Sequence, residues 1–162
     1  MKAAKNGLKM STTILIVLAV TILTAAIVIG WTLWRSPAGR ADPDDRAQVT
    51  LGEAAYQQHC ASCHGAKLEG QPDWRIRKPD GRLPAPPHDA TGHTWHHPDD
   101  QLFQITKLGL RPPLAPEGYQ SDMAAYRGVL TDEQIWAVLA FIKSKWPAEI
   151  RARQSARSTG AN

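Results

Sequence analysis

Two cysteines and a histidine within five residues, Cys60-Ala61-Ser62-Cys63-His64, constrain this chain more than any other feature. They include both cysteines the chain possesses. Cys-x-x-Cys-His is the attachment signature for a c-type haem. Thiols three positions apart can each form a thioether to a vinyl group on one porphyrin edge. The adjacent imidazole then sits under the iron as an axial ligand. The same cysteines could form a redox dithiol or half of a zinc site. A redox dithiol belongs in a βαβ context, which is missing. A zinc site would need a second Cys or His pair at matching spacing. The expectation is therefore one covalently bound haem c on Cys60 and Cys63, with His64 as the proximal iron ligand.

The second constraint is a 23-residue run without a charge, Thr12 to Trp34. As a helix it would be about 35 Å long, enough for a hydrocarbon core of about 30 Å. Isolated threonines can hydrogen-bond back to the helix backbone. Trp31 and Trp34 fall where an aromatic belt would lie. Lys2, Lys5 and Lys9 precede the run with no acidic neighbour, so the positive-inside rule puts residues 1–11 in the cytoplasm. A cleaved signal peptide would have a shorter apolar region ending in a small-x-small site. This run ends in Trp-Thr-Leu-Trp-Arg, so residues 12–34 read as an uncleaved transmembrane signal-anchor in the lipid bilayer, with the rest exported.

The charge distribution supports that reading. The formal charge is +4. Lys2, Lys5, Lys9 and Arg35 flank the apolar run, and Asp42 is the first acid. The remaining basic residues match the 15 acidic ones in number. Basicity therefore belongs to membrane topology, and no electrostatic footprint for nucleic acid remains. Residues 35–48 are polar, with Pro37, Gly39 and Pro43, and read as a linker with a reach on the order of 20 Å.

Residues 49–147 carry three helical patterns. Over Val49–Cys60, Thr50 with Glu53 suits a capping box, and Leu51, Ala55 and Tyr56 can share a face. Gly52 costs about 1 kcal/mol in a helix interior and is best explained by close approach of another helix. Thr131-Asp132-Glu133-Gln134 is a second capping box. It opens a helix whose Ile135, Val138, Leu139 and Ile142 form a core-facing stripe bounded by Pro147. A third helix is expected from about Pro98 to Leu108, with Pro98 in the first turn, Asp99 and Asp100 at the positive end, and Gly109 as the stop. Leu102, Phe103 and Ile105 would supply its apolar contacts. Gly70 to Trp95 is dense in Pro, Gly, Asp and Arg and reads as irregular loop packed on the haem. No strand-type alternation is sustained. Residues 148–162 are basic, poor in apolar side chains and expected to fray.

The axial ligands follow from position. The other ring nitrogen of His64 should donate to a backbone carbonyl, and Leu83-Pro84-Ala85-Pro86-Pro87 could supply it. Met1 and Met10 lie on the cytoplasmic side, which leaves Met123 as the exported methionine. It falls in a loop beside Asp122 and small Ala124-Ala125. A thioether ligand stabilises reduced iron and suits an electron carrier; the alternative is a core-filling methionine. His88, His93, His96 and His97 cluster within ten residues. One could give a bis-histidine haem, or several could converge on copper or zinc. The plainest reading is a polar loop with Trp95 packed near the haem or a propionate.

These residues resemble the small all-helical cytochrome c family. Gly52 and Tyr56 match its N-terminal helix, Val138 and Phe141 the C-terminal helix that crosses it, and Cys60, Cys63 and His64 its haem motif. Met123 matches the distal ligand just upstream of Leu-Thr-Asp-Glu-Gln. Many relatives read Met-Pro where this chain has Met123-Ala124. The resemblance covers roughly residues 49–147 and looks closest to membrane-anchored bacterial monohaem cytochromes c. It implies an all-α haem domain held on the periplasmic side of the bacterial inner membrane by one N-terminal transmembrane helix. It also implies an electron carrier rather than an enzyme, with partners such as the cytochrome bc1 complex or a terminal oxidase. The alternative is a haem-containing copper-binding or sensing module that uses the His-rich loop.

Overall fold

The computed structural model describes residues 11–34 and 41–160, and the side chains of its first helix as far as Val28. The basic N-terminus, Met1, Met10, Arg35, the first part of the expected linker and the last two residues lie outside the described residues, as do the side chains of Trp31 and Trp34. The chain divides into two units, Met1–Ala38 and Gly39–Asn162.

The first unit contains α1 (Thr12–Trp34). Two of its threonines bond back to the helix as expected: Thr21 Oγ1 donates to the carbonyls of Val17 and Leu18, and Thr24 Oγ1 to that of Thr21. Its described apolar side chains, Ile14, Ile22 and Ile27 among them, are exposed. Among the described residues no helix is long and apolar enough to cross a membrane, so the expected transmembrane span at residues 12–34 has no support there.

The second unit is built from α2 (Arg46–His59), α3 (Ala61–His64), a 3₁₀ turn at Thr94–His96, α4 (Asp99–Leu108), α5 (Asp132–Ser144) and α6 (Ala148–Ser158). No strand occurs among the described residues; the one isolated bridge pairs Arg127 with Leu130. The all-helical expectation holds.

α2 begins earlier than the Thr50–Glu53 pattern suggests. Asp45 is the N-cap, its carboxylate accepting from the Ala47 and Gln48 N–H groups. The Thr50 hydroxyl instead donates back to the Arg46 carbonyl. Ala41, inside the expected linker, is 4% exposed and belongs to the core, so the packed unit starts several residues before 49. Moving the cap also fixes the inward face. Ala55 and Tyr56 are buried, whereas Leu51 points outward and is 38% exposed.

α5 is the central element. Its capping box is formed as read, with Thr131 Oγ1 accepting from the Gln134 N–H and Gln134 Oε1 accepting from the Thr131 N–H. Burial extends beyond the expected stripe: every residue from Ile135 to Lys143 is buried. The reason is that α5 serves two cores. Ile135, Trp136, Leu139 and Ala140 pack with Leu102, Phe103 and Leu130. Val138, Phe141 and Ile142 pack with Ala55, Tyr56, Cys60, Leu68 and Trp146. Each large side chain so buried contributes about 1.5–3 kcal/mol. Gly52 sits where α2 crosses α5, and a Cβ there would lie 1.8 Å from the Ala137 carbonyl oxygen.

α4 opens on Pro98 as N-cap rather than inside the first turn, and ends at Gly109 with φ +78°. Proline has no side-chain acceptor, so the cap comes from elsewhere. Ser158 Oγ on α6 accepts from the Asp99 N–H at 3.0 Å.

That contact overturns the frayed tail. Residues 148–158 form α6, anchored by Gln154, which is fully buried. Its amide donates to Asp99 Oδ1 at 2.6 Å and to the His97 carbonyl at 3.2 Å. Asp99 in turn pairs with buried Lys143 at 2.8 Å. α6 therefore completes the hydrogen bonding of a buried ion pair that would otherwise be costly. Truncation after Pro147 should remove a charge-assisted hydrogen bond and a helix cap together. The expected loss is about 3 kcal/mol, or roughly 10 °C in the thermal midpoint, read by circular dichroism.

Candidate functional site

Cys60 terminates α2 and caps α3, so the Cys60–His64 segment is one tight helical turn. The Cys63 and His64 N–H groups both return to the Cys60 carbonyl, at 3.1 and 2.9 Å. This turn brings the imidazole directly after the second thiol. Both cysteines are free; Cys60 is buried and Cys63 exposed. Burial, reinforced by Cys63, pushes the Cys60 thiol up to about 11. The turn is pinned from α2, where the Tyr56 hydroxyl donates to the Gly65 carbonyl at 2.9 Å. Burial raises the pKa of that phenol, so it stays a donor.

The second wall is the strip from Ala85 to Asp89. His64 Nδ1 lies 2.9 Å from the Pro86 carbonyl oxygen, one of the carbonyls the sequence offers for this role. A carbonyl only accepts, so Nδ1 carries the proton and Nε2 keeps its lone pair. Burial lowers the His64 pKa, opposed by the Pro86 hydrogen bond. The strip is clamped on two sides by glycines. A Cβ on Gly70 would lie 2.5 Å from Pro87 N, and one on Gly92 would lie 2.0 Å from the Pro87 carbonyl oxygen. The Gln71 N–H donates to Ala85 O, the His88 N–H to Leu68 O, and Trp146 Nε1 to His88 O. The carbonyl that orients His64 is thus held by the loop after the haem motif and by the residue just beyond α5.

Met123 lies in the irregular segment between α4 and α5, as expected, and is half-buried. It lines a cavity of about 360 Å³ with Arg82, Leu108, Tyr119 and Ala125. A second cavity of about 470 Å³ shares Tyr119 and is also lined by Arg77 and Asp80. No hydrogen bond, ion pair or ring contact joins Met123 to His64 among the described residues. The link is indirect: the Tyr126 hydroxyl, three residues on, donates to the His59 carbonyl beside Cys60 at 2.6 Å. Asp122 anchors the same loop through ion pairs to Lys78 and Arg82.

The four clustered histidines do not converge. His88 stacks on His64 with centroids 3.9 Å apart, and its Nδ1 meets Thr94 Oγ1 at 2.8 Å. Burial, followed by the nearby His64 and His93, holds its pKa well below the usual histidine value. His93 stacks on Trp74 and meets His97 edge-on; His96 stacks on Trp95. Among the described residues no group of three or more His, Cys, Asp or Glu side chains is placed to hold a metal ion. Each ring is engaged by its own neighbour, so the alternative of a copper or zinc cluster finds no support among the described residues. His88 is also poorly placed as a ligand opposite His64. Rings in direct contact leave no space for a porphyrin plane between them.

Among the described residues two buried donors, Arg82 Nε and Trp95 Nε1, have no partner. Carboxylates would satisfy both, and haem carries two propionates. Two thiols for the porphyrin vinyl groups and one neutral imidazole with Nε2 free for the iron also suit a c-type haem. The residues therefore fit the group.

An all-helical unit with two crossing helices and a Cys-x-x-Cys-His turn between them defines a haem-binding helical domain. The family model for cytochrome c matches residues 49–146, more than half of the chain. The chain belongs to the cytochrome c family, and with that comes a covalently bound c-type haem, one for the single domain. Comparison with curated proteins and with solved structures gave no match.

Proposed function

We propose that this chain is a membrane-tethered bacterial cytochrome c that passes single electrons between redox partners in the periplasm. The observation that carries the site is the His64 Nδ1–Pro86 contact, because it fixes the tautomer that leaves Nε2 free for iron. When bound, haem supplies a one-electron couple. Cys60 and Cys63 would hold it through thioethers, and His64 and Met123 would bind the iron. With both residues taken up by the iron, the chemistry supplied would be electron carriage rather than turnover of a substrate. Arg82 and Trp95 offer donors for the propionates. The tether reading rests on α1, a 23-residue helix without a charge whose described apolar side chains are exposed. It rests also on the lysines that precede it. A short linker raises the effective concentration of membrane-bound partners, such as the cytochrome bc1 complex or a terminal oxidase, over soluble ones.

The test is maturation of the full chain in a host that attaches haem covalently, followed by acid–acetone extraction. The chromophore should stay with the wild-type chain and be extracted from the Cys60→Ser/Cys63→Ser double variant. A wild-type chain without covalent chromophore sinks the proposal. Fractionation of the same cells should place the chain in the membrane pellet, released by mild detergent. Recovery in the soluble fraction would remove the tether.

A further inference from the structure

One side chain outside the haem motif touches the proximal imidazole face to face. The His88 ring lies on His64 at 3.9 Å between centroids, with 22° between planes. Its placement is built rather than incidental. The His88 N–H donates to Leu68 O at 2.8 Å, its carbonyl accepts from Trp146 Nε1 at 2.7 Å, and its ring Nδ1 meets Thr94 Oγ1 at 2.8 Å. Leu68, Thr94 and Trp146 are all buried. The Tyr56 ring stands edge-on to it at 6.3 Å. Backbone and ring are thus secured by different parts of the fold.

The geometry explains why a flat ring stands here. The hydrogen bond from His64 Nδ1 to Pro86 lies along one direction and leaves the imidazole free to pivot about that bond. A second ring stacked on its face opposes the pivot, because tilting either plane drives atoms into van der Waals overlap. The Thr94 contact stops the His88 ring from turning about its own Cβ–Cγ bond. An aliphatic side chain could fill the volume but would present no plane.

We propose that His88 is a positioning residue for the haem site: its ring, locked to Thr94, fixes the plane of the His64 imidazole. This rests on the reading of His64 as an axial ligand. The ligand plane of low-spin ferric haem sets the anisotropy of the unpaired electron. That anisotropy is read in the electron paramagnetic resonance g values and in the hyperfine-shifted haem methyl proton resonances.

The experiment uses the full haem-loaded chain and three variants. His88→Leu keeps the bulk and loses the plane, His88→Phe keeps the plane, and Thr94→Val releases the ring anchor. His88→Leu should reorder the methyl resonances and shift the g values while the visible spectrum stays low-spin. His88→Phe keeps the plane but also loses the Thr94 contact, so it should match Thr94→Val, both shifting the pattern less than His88→Leu. Wild-type patterns in both His88→Leu and Thr94→Val would overturn the proposal, as would equal disturbance by Phe and Leu. Should His88→Leu fail to mature, Phe and Thr94→Val decide alone: undisturbed patterns in both overturn it. Failure of the underlying reading would show separately, in a wild-type spectrum without histidine-ligated low-spin haem.

Discussion

Gly52→Leu is expected to yield no folded haem domain. Even the first carbon of a side chain would fall 1.8 Å from the Ala137 carbonyl oxygen and 3.0 Å from Phe141 Cβ. The obstruction is backbone, so no rotamer change relieves it, and α2 and α5 must move apart. That separation breaks the contact between Tyr56 and Phe141, whose rings lie 5.3 Å apart, and opens the core that also holds Cys60. Overpacking in a core with some freedom costs about 1–3 kcal/mol. Here two helices are prised apart, and the loss approaches the 5–15 kcal/mol typical of a whole domain. Alanine would gain about 1 kcal/mol of helix propensity, too little to offset the same clash. Gly52→Ala should therefore be strongly destabilised and Gly52→Leu absent from the matured pool. Leu51→Ala, one position away on the exposed face, should change stability by about 0.5 kcal/mol at most. The measurement is haem-loaded protein per cell, with chemical unfolding of the variants that accumulate. A fully folded Gly52→Leu would refute the crossing.

Met123→Leu should have the second largest effect, in the potential rather than in stability. The substitution nearly conserves volume, so its packing cost stays below about 1.5 kcal/mol, but it removes the sulfur donor. If Met123 binds the iron, the weak far-red sulfur-to-iron band of the oxidised form disappears. The midpoint potential then falls on the order of 0.2 V, within the roughly 0.8 V that axial ligands span. Exogenous imidazole or cyanide should bind faster. If Met123 only fills space, all three readouts stay at wild-type values. Optical redox titration of the two proteins decides between them.

The parts of this fold that were legible in the sequence share a local cause. Thr131 and Gln134 form their cap within one turn, and Gly109 ends α4 where its φ demands. Gly52 announces a close crossing because nothing local rewards a glycine there. The stretch 83–87 was readable as a source of the carbonyl for His64, but that Pro86 supplies it was not. The misreadings share a different cause. Thr50 and Glu53 satisfy a capping pattern, but Asp45 satisfies the geometry, and the packing of Ala41 and Val49 into the core favours the longer helix. α6 has no apolar periodicity to reveal it. It is held by Gln154 and Ser158 reaching Asp99, and polar contacts across more than fifty residues leave no local signature. The clustered histidines left a metal site open beside the plainer polar loop, because spacing says nothing about which way each ring turns. Trp74, Thr94 and Trp95 decide that individually.

The two proposed iron ligands are held with unequal firmness, and that inequality has a direction. On one side, glycine clamps, a tryptophan and a stacked imidazole immobilise everything around His64. On the other, Met123 hangs from a stretch without regular structure, fastened by ion pairs at the surface, by the Tyr126 phenol and by the Tyr126 and Arg127 N–H groups returning to α4, with alanine rather than proline behind it. If Met123 binds the iron, heat, alkali or a competing ligand should release the sulfur side first, while the half held by Cys60, Cys63 and His64 would stay in place.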